Sequence, residues 1–404
     1  LCCPSRTSLL TGMYPQNHGV TNNHAITGGG YEGYMARELD KESWSKLLQP
    51  DYYTGFFGKF LNGYLNPASV PVGWDRWYAV YAGAGNMFNW SASHNGIPVV
   101  YRGSTDATYS TNVLANLVSI TIKQQPIVYK RPFALLFAPI APHLPARPAL
   151  EFKGRYAFEP FAPKLKPSFN EPDVSDKPSH IQALPQFTAE EIAVLERDWR
   201  LMLESGLSID KAFQTIWKTL EATGQLANTY IVFASDNGYL WGEHRISNKL
   251  YPYRESIKST MLVWGPGVVP GLDHHIVTNA DLFPTFMEIA GKPIPDWVDG
   301  RSLLALLRGL TPATWRWQLL VHGNPAESAG RDFHALATGN WTFVQHATEK
   351  EFYDLLADPY EVNNAAAALP AAFVTEVEAR ITNLYNCKGT AVCQPIEDAP
   401  LPVR

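Results

Sequence analysis

The sequence predicts an α/β fold followed by a smaller α+β unit. Short apolar runs near residues 52–60, 132–141 and 229–234 each end in polar residues, and a long stretch at 188–224 sets apolar residues at helical spacing between two of them. Helix-then-strand alternation builds a sheet covered by helices, whose chemistry collects beyond the carboxyl ends of the strands. Composition shifts again after "DGRSLLALLRG", so the boundary is expected near residue 308, with units 1–308 and 309–404. A chain of 404 residues, 46% hydrophobic with 12 Trp, 19 Tyr and 19 Phe, has the material to bury both cores.

Each element has a local reason. "SRTSLLTGMY" opens with Ser/Thr and stops at Gly12, the pattern of a short helix whose N-terminus would lie beside Cys2 and Cys3 and attract anions. "YYTGFFGKFLNGY" reads as a strand turning at Gly58, "PFALLFAPIAPH" as a buried strand entering a polar loop, and "TYIVFASDNGY" as a strand stopping at Asp236-Asn237-Gly238. Residues 153–187, rich in proline and without periodicity, read as a long surface loop rimming the site. Beyond 308, "WQLLVHG", "HALATGNWTFVQHA" and "EFYDLLADPYEVNN" suggest short antiparallel strands, then a final helix.

Several function classes are excluded. Net charge is −5 with scattered basic residues, which leaves no electrostatic footprint for nucleic acid or an anionic membrane. No apolar run approaches the roughly 18 to 20 residues of a membrane span. Of the 4 cysteines, Cys387 and Cys393 enclose a short loop that would close as a disulfide or hold half of a metal site. Asn89-Trp90-Ser91 and Asn340-Trp341-Thr342 are glycosylation sequons, in keeping with a secreted or lumenal glycoprotein. The chain starts at Leu1 without Met or signal peptide, so the natural N-terminus is expected upstream.

Cys2-Cys3-Pro4-Ser5-Arg6 with Leu10-Thr11-Gly12 resembles the signature of the type I, formylglycine-dependent sulfatases. Gly58-Lys59, His143, Asp236-Asn237-Gly238, Gly242-Glu243-His244, Lys249 with Tyr253, and the closing "FYDLLADPYEVNN" match family segments in order, so the resemblance covers essentially the whole chain. "KFLNGY" and "VPVGWDRWY" lean towards the arylsulfatase and N-acetylglucosamine-6-sulfatase branch. The resemblance implies an alkaline-phosphatase-like mixed sheet sandwiched by helices and a nucleophile made by oxidising Cys2 to formylglycine. Its hydrated aldehyde attacks sulfur and later expels sulfate. Arg6 and Lys59 would bind the anion, and His143 and Lys249 would bind it and assist the leaving oxygen. Asp236, Asn237 and the modified Cys2 would hold a divalent cation, Ca2+ by its preference for oxygen donors. An aryl sulfate or sulfated carbohydrate is the implied substrate, and a formylglycine-generating enzyme the implied maturation partner.

The chain departs from the family in places. Leu61, followed by Asn62, stands where many members carry histidine. Arg254 replaces a usual glutamate. The family's first strand, with paired metal aspartates, would precede Cys2 and is expected to be missing here, which leaves open a sulfatase-like binding protein without activity. A phosphonate or phosphate ester hydrolase of the same superfamily is the other alternative.

Every candidate has a plainer reading. Lys59 fits a solvated surface lysine, His143 a structural histidine, Lys249 a partner of Glu255, and Asp-Asn-Gly an ordinary turn. His18, Asn62 and His244 are further candidates on position alone. The aromatic stretch 74–91 and the proline-rich loop would line a sugar cleft or simply pack.

Overall fold

The computed structural model describes residues 1–81, 86–324 and 332–403; residues 82–85 of the aromatic stretch lie outside them. Helix α1 (Cys2–Thr11) is followed by β1 (Tyr53–Lys59), β2 (Arg76–Tyr81), β3 (Trp90–His94), β4 (Ile97–Tyr101), helix α2 (Ser110–Gln124) and β5 (Phe133–Ala138). These strands form a five-stranded sheet in the order β4-β3-β2-β1-β5. Its centre is parallel, β1 pairing with both β2 and β5, whereas β3 and β4 add antiparallel. Every residue of β1 is buried, and Phe56 stacks on Trp77 at 4.7 Å between ring centres. The strand therefore delivers Lys59 from the middle of the core to the carboxyl edge.

Helix α3 (Ala189–Ala222) has 34 residues, about 51 Å at the usual rise. Thr188 and Glu191 close a capping box at its start, worth about 1 kcal/mol. It packs against α2, and after it the chain enters β6 (Ile231–Ala234). The run at 133–138 is half-buried rather than buried, because β5 is the sheet's edge and pairs only with β1 among the described residues. Among the described residues β6 likewise pairs only with β9 (Met261–Trp264), while β7 (Leu240–Trp241) and β8 (Ser247–Asn248) form a small hairpin.

The expected rim loop is more deeply anchored than its composition predicts. Ser168, Glu171 and Lys177 are buried, and Lys166 bridges Glu243 at 2.6 Å and Glu255 at 2.9 Å. Its charges thus serve as internal struts under the β7–β8 region.

After α4 (Leu282–Ile289), β10 (Gln318–His322), β11 (His334–Thr338), β12 (Trp341–Gln345) and β13 (Lys350–Asp354) build an antiparallel four-stranded sheet. Helix α5 (Ala371–Asn386) turns Phe373, Val377, Ile381 and Leu384 onto it, one apolar stripe at helical spacing. Helix α6 (Thr390–Glu397) carries Cys393 of the Cys387–Cys393 disulfide, which resolves those cysteines in favour of a crosslink. Its Thr390 hydrogen-bonds back to Val298, and Glu397 and Asp398 pair with Arg301. The same Glu397 and Asp281 hold Arg316, all fully buried. A buried ionic cluster thus ties the segment around Asp281 and Arg301 to Arg316 and the C-terminal helix α6.

Candidate active site

The site forms where α1 meets the ends of β1 and β6. The helix begins at Cys2, so both cysteines lie in its first turn rather than beside it; Pro4 is tolerated there because the first-turn N–H groups have no helical acceptor. Gly12 ends it at φ 73, a left-handed cap that also brings the backbone against Phe283 and Val298.

Cys2 is buried and unpaired. Lys249 Nζ lies 3.1 Å from its Sγ, Lys59 Nζ 3.6 Å, and Asn237 Oδ1 3.8 Å. Lys249 also donates to Asn237 Oδ1 at 3.2 Å. Arg6 donates through Nε to Asp236 Oδ2 at 2.8 Å and through Nη1 to the Lys59 carbonyl at 2.6 Å, tying α1 to both strand ends. Cys2, Arg6, Lys59, Asp236, Asn237 and Lys249 therefore converge. Glu255 is bound to Lys166, and it is Cys2 and Asn237 that hold the Lys249 ammonium.

The electrostatics follow from this crowding. Burial alone would raise the Cys2 thiol, but a hydrogen bond from His143 and the charges of Lys59 and Lys249 hold it down at about 5. Cys3 has the opposite fate: burial pushes it up to about 12, and its Sγ merely accepts the Asn62 N–H at 3.1 Å. Burial works against the Asp236 carboxylate too, yet Arg6, Lys249 and Lys59 keep it below the ordinary range. Burial lowers Lys59. Such a pocket favours an anion at the position of the Cys2 side chain.

His143, in the loop after β5, is exposed; its Nδ1 meets the Leu144 carbonyl at 2.5 Å, and its imidazole helps to lower the Cys2 thiol. His18 does not face the site. It is buried, bonded to Ser8 Oγ at 3.1 Å and to the Val20 N–H at 3.0 Å, and burial lowers it to about 3. His244 is also a structural group, paired with Glu171 at 2.8 Å and stacked on Tyr253 at 4.1 Å. Asn62 supports Cys3 and, through its carbonyl, Tyr31. Sequence reasoning missed Asn23, whose Oδ1 accepts the Cys3 N–H at 2.9 Å. It also missed Asn279, which donates to Ser5 Oγ at 2.8 Å and the Ser235 carbonyl at 3.0 Å. Neither belongs to a spacing that announces a site.

For a cation the donor set is incomplete. Among the described residues no group of three or more His, Cys, Asp or Glu side chains could hold a metal ion. Asp236 and Asn237 offer hard oxygens, but two side chains fall short of the six to eight ligands Ca2+ takes, and Arg6 already occupies one Asp236 oxygen.

The sulfatase family profile matches residues 1–292. The chain belongs to the sulfatase family. Residues 242–386 also match the C-terminal profile of N-sulphoglucosamine sulphohydrolase. This sulfatase is 32% identical to human N-acetylglucosamine-6-sulfatase, covering 98% of this chain and 78% of that one. It is 30% identical to the arylsulfatase of Volvox carteri, covering 98% and 69%. Among solved structures, a protein in complex with its substrate D-glucosamine-2-N,6-O-disulfate superposes with a TM-score of 0.76 at 23% identity, over 95% of this chain and 87% of that chain. A phosphonate monoester hydrolase from Silicibacter pomeroyi gives 0.69 at 20% identity, over 96% and 87%. At these identities the structures speak for the fold alone. That fold is the alkaline-phosphatase-like α/β arrangement with a C-terminal antiparallel sheet.

Proposed function

We propose that this sulfatase hydrolyses aryl or carbohydrate sulfate esters with a nucleophile formed at Cys2. The observation that carries the reading is the convergence of Lys59 and Lys249 on the Cys2 Sγ, with Arg6 beside them and Asp236 as the carboxylate that faces them. Conversion of Cys2 to formylglycine would supply a hydrated aldehyde, one hydroxyl to attack sulfur and a second whose deprotonation releases sulfate.

The remaining steps belong to side chains. Lys59, Lys249 and Arg6 oppose the negative charge of the sulfuryl oxygens, in a site whose burial strengthens each contact. Lys249 is also placed to stabilise the departing oxygen. The His143 imidazole, exposed beside Cys2, suits proton donation to the leaving alcohol. Asp236 holds Arg6 in register, and with Asn237 and a formylglycine at position 2 it would supply part of the oxygen shell of a divalent cation, Ca2+ by its preference for oxygen donors. Sulfated amino sugars are the favoured substrates, in line with the N-acetylglucosamine-6-sulfatase relatives. The exposed sequon residues Asn89 and Asn340, together with the Cys387–Cys393 disulfide, support a secreted or lumenal setting.

Peptide mass spectrometry of residue 2, paired with sulfate release from 4-nitrophenyl sulfate and N-acetylglucosamine-6-sulfate, tests the reading. An aldehyde at residue 2 with sulfate release is the expected result. Faster turnover of a phosphonate monoester would reassign the substrate, and an unmodified Cys2 without sulfate release would overturn the mechanism.

A further inference from the structure

Lys249 and Asn237 hang from one short helix, Arg254–Ile257. Its Ser256 Oγ accepts the Leu250 N–H at 3.2 Å, immediately after Lys249, where Leu250 sits at a strained φ of 89. Its Ser256 and Glu255 carbonyls accept the N–H groups of Gly238 at 2.9 Å and Tyr239 at 2.7 Å, immediately after Asn237. Approach is so close that a Cβ on Gly238 would run into the Glu255 carbonyl. Both anion-facing segments are thus tied to the same turn.

That turn is held from the other sheet. Glu361 Oε2 accepts the Arg254 N–H at 2.8 Å, at the helix start. The preceding residue, Tyr253, donates its hydroxyl to Glu351 Oε2 at 2.9 Å, and Glu351 is fixed in turn by Tyr353 at 2.6 Å and His346 at 2.7 Å. Glu361 and Glu351 are buried, and among the described residues Glu361 Oε1 has no hydrogen-bond partner. Burying a carboxyl with an unmatched oxygen is costly, which points to a retained purpose.

We propose that Glu361 is a positioning residue, fixing through the Arg254 N–H the turn that aims Lys249 at the anion. The link crosses from the C-terminal segment to the catalytic centre. It rests on the proposed hydrolase reading only for the role of Lys249, since the tether itself is a matter of geometry. Loss of the acceptor frees the Arg254 N–H, and the turn then relaxes with Leu250 and Lys249.

The test uses the full chain as wild type, Glu361→Ala, Glu361→Gln, Lys249→Ala and the Glu361→Ala/Lys249→Ala double variant. Binding of inorganic sulfate is followed by calorimetry, and kcat and KM with 4-nitrophenyl sulfate. Glu361→Ala should weaken sulfate binding and kcat/KM by about tenfold to a hundredfold, the scale of a small misplacement. Glu361→Gln keeps an acceptor oxygen and should restore most of both. In the Lys249→Ala background the Glu361→Ala effect should shrink to about twofold or less, because interacting residues are not additive. Unchanged sulfate affinity in Glu361→Ala, or the same loss in both backgrounds, overturns the proposal. Wild-type protein that binds sulfate without hydrolysing esters would sink the hydrolase reading, and weaker sulfate binding by Glu361→Ala would still support the tether. Should Glu361→Ala not fold, Tyr253→Phe removes the Glu351 contact of the same turn, and an unaltered sulfate affinity there is equally fatal.

Discussion

Two charged clusters flank helix α1, and they are built to opposite rules. At its start, Arg6, Lys59 and Lys249 face Asp236, so cations exceed carboxylates. Beyond its end, Arg316 and Arg301 are matched by Asp281, Glu397 and Asp398, with Tyr14 also on Glu397. The second cluster matches each arginine with carboxylates of the chain itself. The first keeps three cations around one carboxylate and a depressed thiol, an excess of positive charge that suits an outside anion. Compensation, more than the number of charges, separates a strut from a site.

Variants can break that contrast. The largest effect is expected for Cys2→Ala, which removes the proposed nucleophile and should cost several orders of magnitude in kcat with 4-nitrophenyl sulfate while leaving the melting temperature near wild type. Arg316→Met should do the reverse: Asp281 would lose its ion pair and Glu397 would keep only Arg301, at a cost of about 3–5 kcal/mol of stability in denaturant titrations, with sulfate affinity unchanged in the protein that remains folded.

The tether adds a pH signature. Burial pushes Glu361 up, as do Glu255 and Glu351, against the Arg254 N–H, to about 8. Tyr253 and Tyr353 face it as well, and Lys177 binds the neighbouring Val362 carbonyl. A carboxyl raised in the fold contributes stability that is full below its unfolded value and fades as pH climbs through 8. The melting temperature of wild type relative to Glu361→Gln should therefore fall by several degrees between pH 5 and pH 9. A flat difference would deny Glu361 that titration. The smallest effect is reserved for His18→Asn, which should leave KM within about twofold and alter only stability, since the His18 ring bonds Ser8 and the Val20 N–H rather than any of the side chains around Cys2.

Much of the fold and of the site is legible in the amino-acid sequence alone. The run ending at Lys59 shows as a strand because every residue of it is buried, and α3 shows through its period and Thr188 cap. The residues meeting at Cys2 are legible through ordered motifs. His18 and His244 mislead because position in a motif says nothing about which way a ring turns. β5 misleads because an apolar run does not disclose whether a neighbour covers its outer edge. Glu361 is hidden for another reason: it acts on a backbone N–H more than a hundred residues earlier, and hydrogen bonds to backbone leave no residue-type pairing to read.

Gly238 carries a last consequence. It bears no charge and offers no side chain to the anion, yet nothing larger fits against the Glu255 carbonyl. Across lineages descending from this protein, drift at position 238 should therefore be as tightly barred as at Lys249. Any change in what the site accepts would have to proceed elsewhere, leaving this bare position as a fixed point around which the rest could vary.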